Sequence, residues 1–114
     1  MDRDPTGRAL SEPGTKGDAG KSPVMQGVLF YFPRALLAVG QVSEYGATKY
    51  TWNGWESVPK GTVRYGDALV RHILLERMEG QRDKDTNLLH AAHAAWNALA
   101  RLELLLREQS GPTQ

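Results

Sequence analysis

His90, His93 and Asn97 stand three and four residues apart, so a helix carries them on one face. All 3 histidines of the chain fall between positions 72 and 93, and Asp83 and Asp85 lie between His72 and His90. An imidazole titrates near neutrality, so it can move a proton, ligate a metal or meet a phosphate. Carboxylates beside a histidine can hold a divalent ion; Mg2+ favours one or two carboxylates together with phosphate oxygens. The same groups can hydrogen-bond a base or a ribose without chemistry. They can also be structural. Histidines on an Ala-rich helix often satisfy one another across a helix interface, and Asp83 and Asp85 suit the positive end of the following helix dipole. Asp83-x-Asp85-x-Asn87 opens like a calcium loop, but Leu88 and Ala94 stand where that loop needs Gly and Glu.

Other residues supply recognition rather than chemistry. Arg71 beside His72, with Lys49 and Arg64 upstream, can meet phosphates. Tyr50, Trp52, Asn53 and Trp55 share a short polar loop. Its two tryptophans need cover, either a base to stack on or an interface to fill. The chain has no cysteine, which removes disulfides, zinc-thiolate sites and thiol nucleophiles. Ser-His-Asp arrangements, Walker loops and Gly-x-Gly-x-x-Gly fingerprints are absent. The net charge is +1, from 14 basic against 13 acidic residues, so bulk charge does not point to nucleic acid. No segment approaches the roughly 20 apolar residues that span a bilayer, and the N-terminus lacks the apolar core of a secretory signal. A cytoplasmic location is expected.

The elements that must position these groups follow from the hydropathy pattern. Residues 1–22 are rich in Gly, Asp, Lys, Pro, Thr and Ser, and Leu10 is their one large aliphatic besides Met1. Such a segment is expected to be disordered alone. Residues 23–108 are expected to form one helical domain, and 109–114 to fray. Val24–Phe32 suggests an edge strand or extended segment. Pro33 then suits the first turn of a helix over Arg34–Tyr45, stopped by Gly46. A second helix spans Tyr65–Glu79, closed by Gly80. Asp85, Thr86 and Asn87 are competent caps for a third, Leu88–Glu108, which is dense in Ala and Leu. The fold expected is all-α, a small bundle of three main helices with a long C-terminal one. That last helix is apolar nearly all round, which a three-helix monomer does not easily cover, so a homo-oligomer is expected.

Several short motifs occur in order: Lys16-Gly17-Asp18-x-Gly20-Lys21, Tyr45-Gly46-Ala47-x-Lys49-Tyr50, Asn53-Gly54-Trp55, Ala68-Leu69-x-Arg71-His72, Asp83-x-Asp85-Thr86 and His90-x-x-His93-Ala94-Ala95-Trp96-Asn97. From about Lys16 to Glu103 the chain resembles the phage-associated dATP/dGTP diphosphohydrolase N-terminal domain, a family linked to the all-helical MazG-like nucleotide pyrophosphohydrolases. The resemblance implies a phage protein handling purine deoxynucleotides. Its reaction would be Mg2+- or Mn2+-dependent hydrolysis of a dNTP to dNMP and pyrophosphate. Asp83 and Asp85 would hold metal. His72, His90 and His93 would bind phosphate or assist proton transfer, Asn97 would orient a histidine or ligand, and Lys49 and Arg71 would meet phosphates. Glu76-Arg77-Met78-Glu79 matches the Glu-x-x-Glu by which MazG-like enzymes hold Mg2+, which adds Glu76 and Glu79 to the metal set. Histidines stand where the second acidic motif would be. Either the metal site differs from theirs or catalysis has been lost; the alternatives are a domain that binds a nucleotide or nucleotide signal without cutting it, and a structural oligomeric helical protein.

Overall fold

The computed structural model describes residues 5–9, 11–13, 16, 17 and 20–110. Leu10, Asp18, residues 111–114 and part of the expected tail lie outside them. The chain divides into two units, Met1–Phe32 and Pro33–Gln114.

In the first unit Met25–Leu29 forms a π-helical turn, with the Phe30 N–H donating to the Met25 carbonyl at 2.9 Å. This corrects the expected strand or extended segment. A lone strand would leave a row of backbone groups unpaired. The helical turn satisfies them locally, as Gly27 N–H to Pro23 O at 2.7 Å and Phe32 N–H to Val28 O at 3.1 Å illustrate.

The second unit holds three long helices: α1, Pro33–Lys49; α2, Gly61–Glu79; and α3, His90–Ser110. A 3-10 turn, Gly54–Ser57, sits between α1 and α2. Pro33 opens α1 as expected, because its missing N–H has no partner in a first turn. Gly46 does not stop the helix. It accepts from the Tyr50 N–H at 2.8 Å, and the Thr48 hydroxyl ties back to the Tyr45 carbonyl at 2.7 Å. An interior glycine costs roughly 1 kcal/mol, which continued hydrogen bonding and packing outweigh. The start of α2 lies four residues before Tyr65, since Gly61 packs flush against α3: a Cβ there would stand 2.8 Å from Leu104 Cδ1. Gly80 ends α2 at φ 104°, a conformation that suits glycine.

Helices α2 and α3 form an antiparallel hairpin. The Thr62 hydroxyl donates to Glu108 at one end, and His72 meets His90 at the other. The connection is laced rather than loose. An antiparallel bridge joins Arg82 and Leu89, and the Arg82 guanidinium donates to the Asn87 carbonyl at 2.8 Å. Asn87 adopts φ 60°, a left-handed conformation that asparagine tolerates. This reversal delays α3 until His90, whose N–H bonds the Gln81 carbonyl at 2.8 Å.

The core is small. Val42, Ala92, Ala94 and Ala100 are its buried apolar residues, and His90, His93 and Asn97 are buried with them. Beside them the Trp96 ring packs edge to face on Trp55 and Tyr65, which are tilted against each other, with centroids 5.6 to 6.4 Å apart. The Trp96 indole N–H donates to Ser43 at 2.8 Å, joining α1 to α3. Val63, Val70 and Leu74 of α2 and Leu99, Leu102 and Leu106 of α3 remain about half exposed. None of the described helices is long and apolar enough to cross a membrane.

Trp96→Ala removes a ring that touches three elements, and we expect it to lower stability by about 3 kcal/mol in urea denaturation. Leu37→Ala, at an exposed site on α1, should stay within about 0.5 kcal/mol of the parent. Equal effects of the two would contradict this account of the core.

Candidate functional site

His90 is fully buried, yet both of its ring nitrogens have partners. Its Nε2 lies 2.7 Å from Glu79 Oε1, and its Nδ1 lies 3.0 Å from Nδ1 of His72. Beside a carboxylate, Nε2 carries the proton. Nδ1 of a neutral His90 then accepts from the Nδ1–H of His72. His72 and Glu79 are seven residues apart, so two turns of α2 bring both to the same half-buried stripe.

The connection supplies the third partner. Asp83 Oδ1 accepts from the N–H groups of Asp85 at 2.7 Å and Thr86 at 3.2 Å. Its Oδ2 is left facing the imidazoles, 3.7 Å from His72 Nδ1 and 3.9 Å from His90 Nδ1. These three ligand-capable atoms all lie within 4.8 Å of one another. His93 sits alongside. Its ring stacks on His72 at 4.5 Å, nearly parallel, and its Nε2 is 2.8 Å from the Thr86 hydroxyl. That hydroxyl also accepts the Leu88 N–H, so its own hydrogen is available to His93. The Asn97 amide nitrogen donates to the His93 carbonyl at 2.8 Å.

Burial holds the His72 imidazole below its ordinary value, and neighbouring His93 adds to the effect against the pull of Asp83. Burial lowers His93 in the same way. At Asp83, burial alone would raise the carboxyl. The N–H groups of Asp85 and Thr86, with the nearby imidazoles of His93 and His90, outweigh it and hold the carboxyl low.

A groove of about 1260 Å³ runs past this cluster. Arg64, Arg71, His93, Asn97 and the Trp55, Tyr65 and Trp96 rings line it, with Tyr50 and Trp52 also on its wall. Arg64 and Arg71 are seven residues apart on one face of α2, roughly 10 Å along the axis. Asn97 lines the groove with one of its two amide N–H groups engaged by the His93 carbonyl. Trp55 is covered by Tyr65 and Trp96, and the Arg107 guanidinium sits 5.3 Å over its ring. Trp52 stays 66% exposed.

The structure therefore regroups the residues singled out by sequence. His72, Asp83 and His90 converge, and Tyr50, Trp52, Trp55, Arg71 and Asn97 share the groove with His93. The four carboxylates do not gather. Glu79 engages His90, Asp85 contributes its backbone N–H with its side chain exposed, and Glu76 falls on the exposed side of α2. Lys49 is not part of the groove lining; its amine lies 5.3 Å over the Tyr50 ring, and Asn53 is exposed outside the lining too. Thr86 was legible as a cap and as a motif residue after Asp85, Trp96 as a motif residue beside Asn97, and Tyr65 only as a helix residue. The spacing of Trp96 three residues after His93 is the one signal that could have placed it here.

The buried imidazoles make the fold acid-sensitive. His72 and His93 bind protons more weakly folded than unfolded, where the ordinary value is 6.5. As pH falls through that value the unfolded chain gains protons first, so stability drops from about pH 6.5 downward. Asp83, lowered in the fold, extends the loss to more acidic pH. Urea midpoints measured with a chelator present should fall steadily below neutrality. A flat profile between about pH 7 and 5 would contradict neutral imidazoles in the fold.

The sequence profile described as dATP/dGTP diphosphohydrolase, N-terminal, matches residues 11–113. A dATP/dGTP diphosphohydrolase of Salmonella phage PMBT28 is 35% identical over 82 residues, which are 72% of this chain and 26% of that protein. The chain thus spans about a quarter of that relative's length. No solved structure shows significant similarity. With nearly its whole length matched, the chain belongs to the dATP/dGTP diphosphohydrolase N-terminal family.

Proposed function

We propose that this domain binds a purine deoxynucleoside triphosphate in the groove beside α2 and α3. The observation that carries the reading is the combination in one groove of two arginines, an aromatic wall and a buried amide. A triphosphate is a polyanion, and guanidinium groups engage phosphate oxygens through paired donors. Arg64 and Arg71 are spaced along α2 to meet successive parts of such a chain. A purine offers a broad π-face for Tyr50 or Trp52, whose rings are largely uncovered, and exocyclic or ring N–H groups for the Asn97 oxygen. The name of the phage relative, dATP/dGTP diphosphohydrolase, agrees with a purine substrate for the whole protein.

Hydrolysis to dNMP and pyrophosphate is the second part of this reading, supported by the buried His-Asp cluster next to the groove. His93 joins the two, since it lines the groove and stacks on His72.

Equilibrium binding of dATP, dGTP, dCTP and TTP to the full chain tests the proposal. We expect saturable binding with a preference for the purines. Arg71→Ala should weaken it about tenfold, or about 1.4 kcal/mol, while Arg77→Ala, at an exposed position of α2 outside the groove lining, leaves it unchanged. Absence of saturation, or full affinity in an Arg64→Ala/Arg71→Ala variant, would sink the binding reading. Product analysis of the same mixtures decides the second part: monophosphate with pyrophosphate assigns the cleavage to this domain, and intact nucleotide removes it.

A further inference from the structure

We propose that His72, Asp83 and His90 form a binding site for one borderline divalent transition-metal ion of the Fe2+, Co2+, Ni2+ or Zn2+ class, coordinated by two imidazole Nδ1 atoms and one carboxylate oxygen. The site stands on its own geometry and does not depend on the nucleotide reading.

Spacing is the first support. The three atoms are separated by 3.0, 3.7 and 3.9 Å. A point equidistant from all three lies about 2.1 Å from each, which is the length of a transition-metal bond to imidazole nitrogen or carboxylate oxygen. The second is orientation. Both rings turn Nδ1 toward the same space, and a tautomeric shift of the His72 proton to Nε2 makes both atoms lone-pair donors there. Oδ2 of Asp83 faces that space because the backbone N–H groups of Asp85 and Thr86 occupy Oδ1. The third is the outer support. Glu79 accepts from Nε2–H of His90, the carboxylate–histidine arrangement that fixes ring orientation and raises the basicity of a ligating nitrogen.

The donor set disagrees with Mg2+, the ion implied by the family resemblance. Mg2+ demands near-octahedral oxygen coordination and keeps much of its water. Two of the three donors here are imidazole nitrogens, which suit later first-row metals. Three protein ligands leave at least one position open, and the side chains of His72 and Asp83 are 14% and 12% exposed, enough for water to reach it. Such an ion would polarise a bound water or an oxyanion.

The test uses the full chain, stripped with chelator and free of nucleotide. It is dialysed against Zn2+, Ni2+, Co2+, Mn2+ or Mg2+, and retained metal is counted by plasma mass spectrometry. We expect about one equivalent of Zn2+, Ni2+ or Co2+ per chain, a visible Co2+ absorption band, and no displacement by excess Mg2+. Asp83→Asn keeps the oxygen that accepts the turn's N–H groups but loses the anionic ligand. It should abolish retention, as should His72→Ala, while both keep the parent's helical circular dichroism. Glu79→Gln should weaken retention about tenfold. Three results would overturn the proposal: no metal retained by the parent chain, Mg2+ retained in preference, or unchanged retention in folded Asp83→Asn and His72→Ala. None of these results bears on nucleotide binding, which is read separately.

Discussion

Everything around the α2–α3 turn depends on keeping His90 satisfied while it is sealed from water. A buried imidazole offers two polar nitrogens, and each one left unpaired would carry a desolvation penalty of about 1–3 kcal/mol. Glu79 and His72 supply the partners. Those two residues therefore have to lie on one stripe of α2, and α3 has to start at the residue that brings His90 opposite them. The left-handed Asn87, the Arg82–Leu89 bridge and the bond from His90 N–H to the Gln81 carbonyl together set that starting point. No buried polar side-chain atom among the described residues is left without a partner.

This arrangement explains the odd composition of the core. Ala92, Ala94 and Ala100 contribute little apolar area, but their small side chains let α3 sit close to its neighbours. Close approach lets short polar side chains bridge the helices. Aromatic bulk is displaced to one flank, where Trp55, Tyr65 and Trp96 close the unit against the 3-10 turn, and the Tyr65 hydroxyl donates to the Trp55 carbonyl at 2.7 Å. The groove is lined by members of all three sets: His93 and Asn97, the aromatic rings, and Arg64 and Arg71 of α2.

How much of this was legible depended on the range of the signal. Helix periodicity is local, and it located all three long helices, the Pro33 start, the Gly80 stop and the shared face of His90, His93 and Asn97. Ends decided by tertiary contact were less visible. Gly46 lies inside α1 because the hydrogen bonds of the final turn continue past it, and α2 begins at Gly61 because Leu104 packs against that position. The convergence of His72, Asp83 and His90 was beyond spacing rules. It depends on one positive φ at Asn87 and on which oxygen of Asp83 the backbone claims. Asp85 and Glu76 looked equivalent to Asp83 and Glu79 by residue type, and only the direction of each side chain separates them.

The connection from Gly80 to Leu89 has one more consequence. His72 and His90 are 18 residues apart in sequence, with Asp83 and Glu79 between them. Closing so short a span costs little chain entropy, and contacts of low sequence separation form early. The cluster is in effect a property of a single helical hairpin rather than of the whole topology. It is portable: segments before α2 and after α3 can vary without rebuilding it.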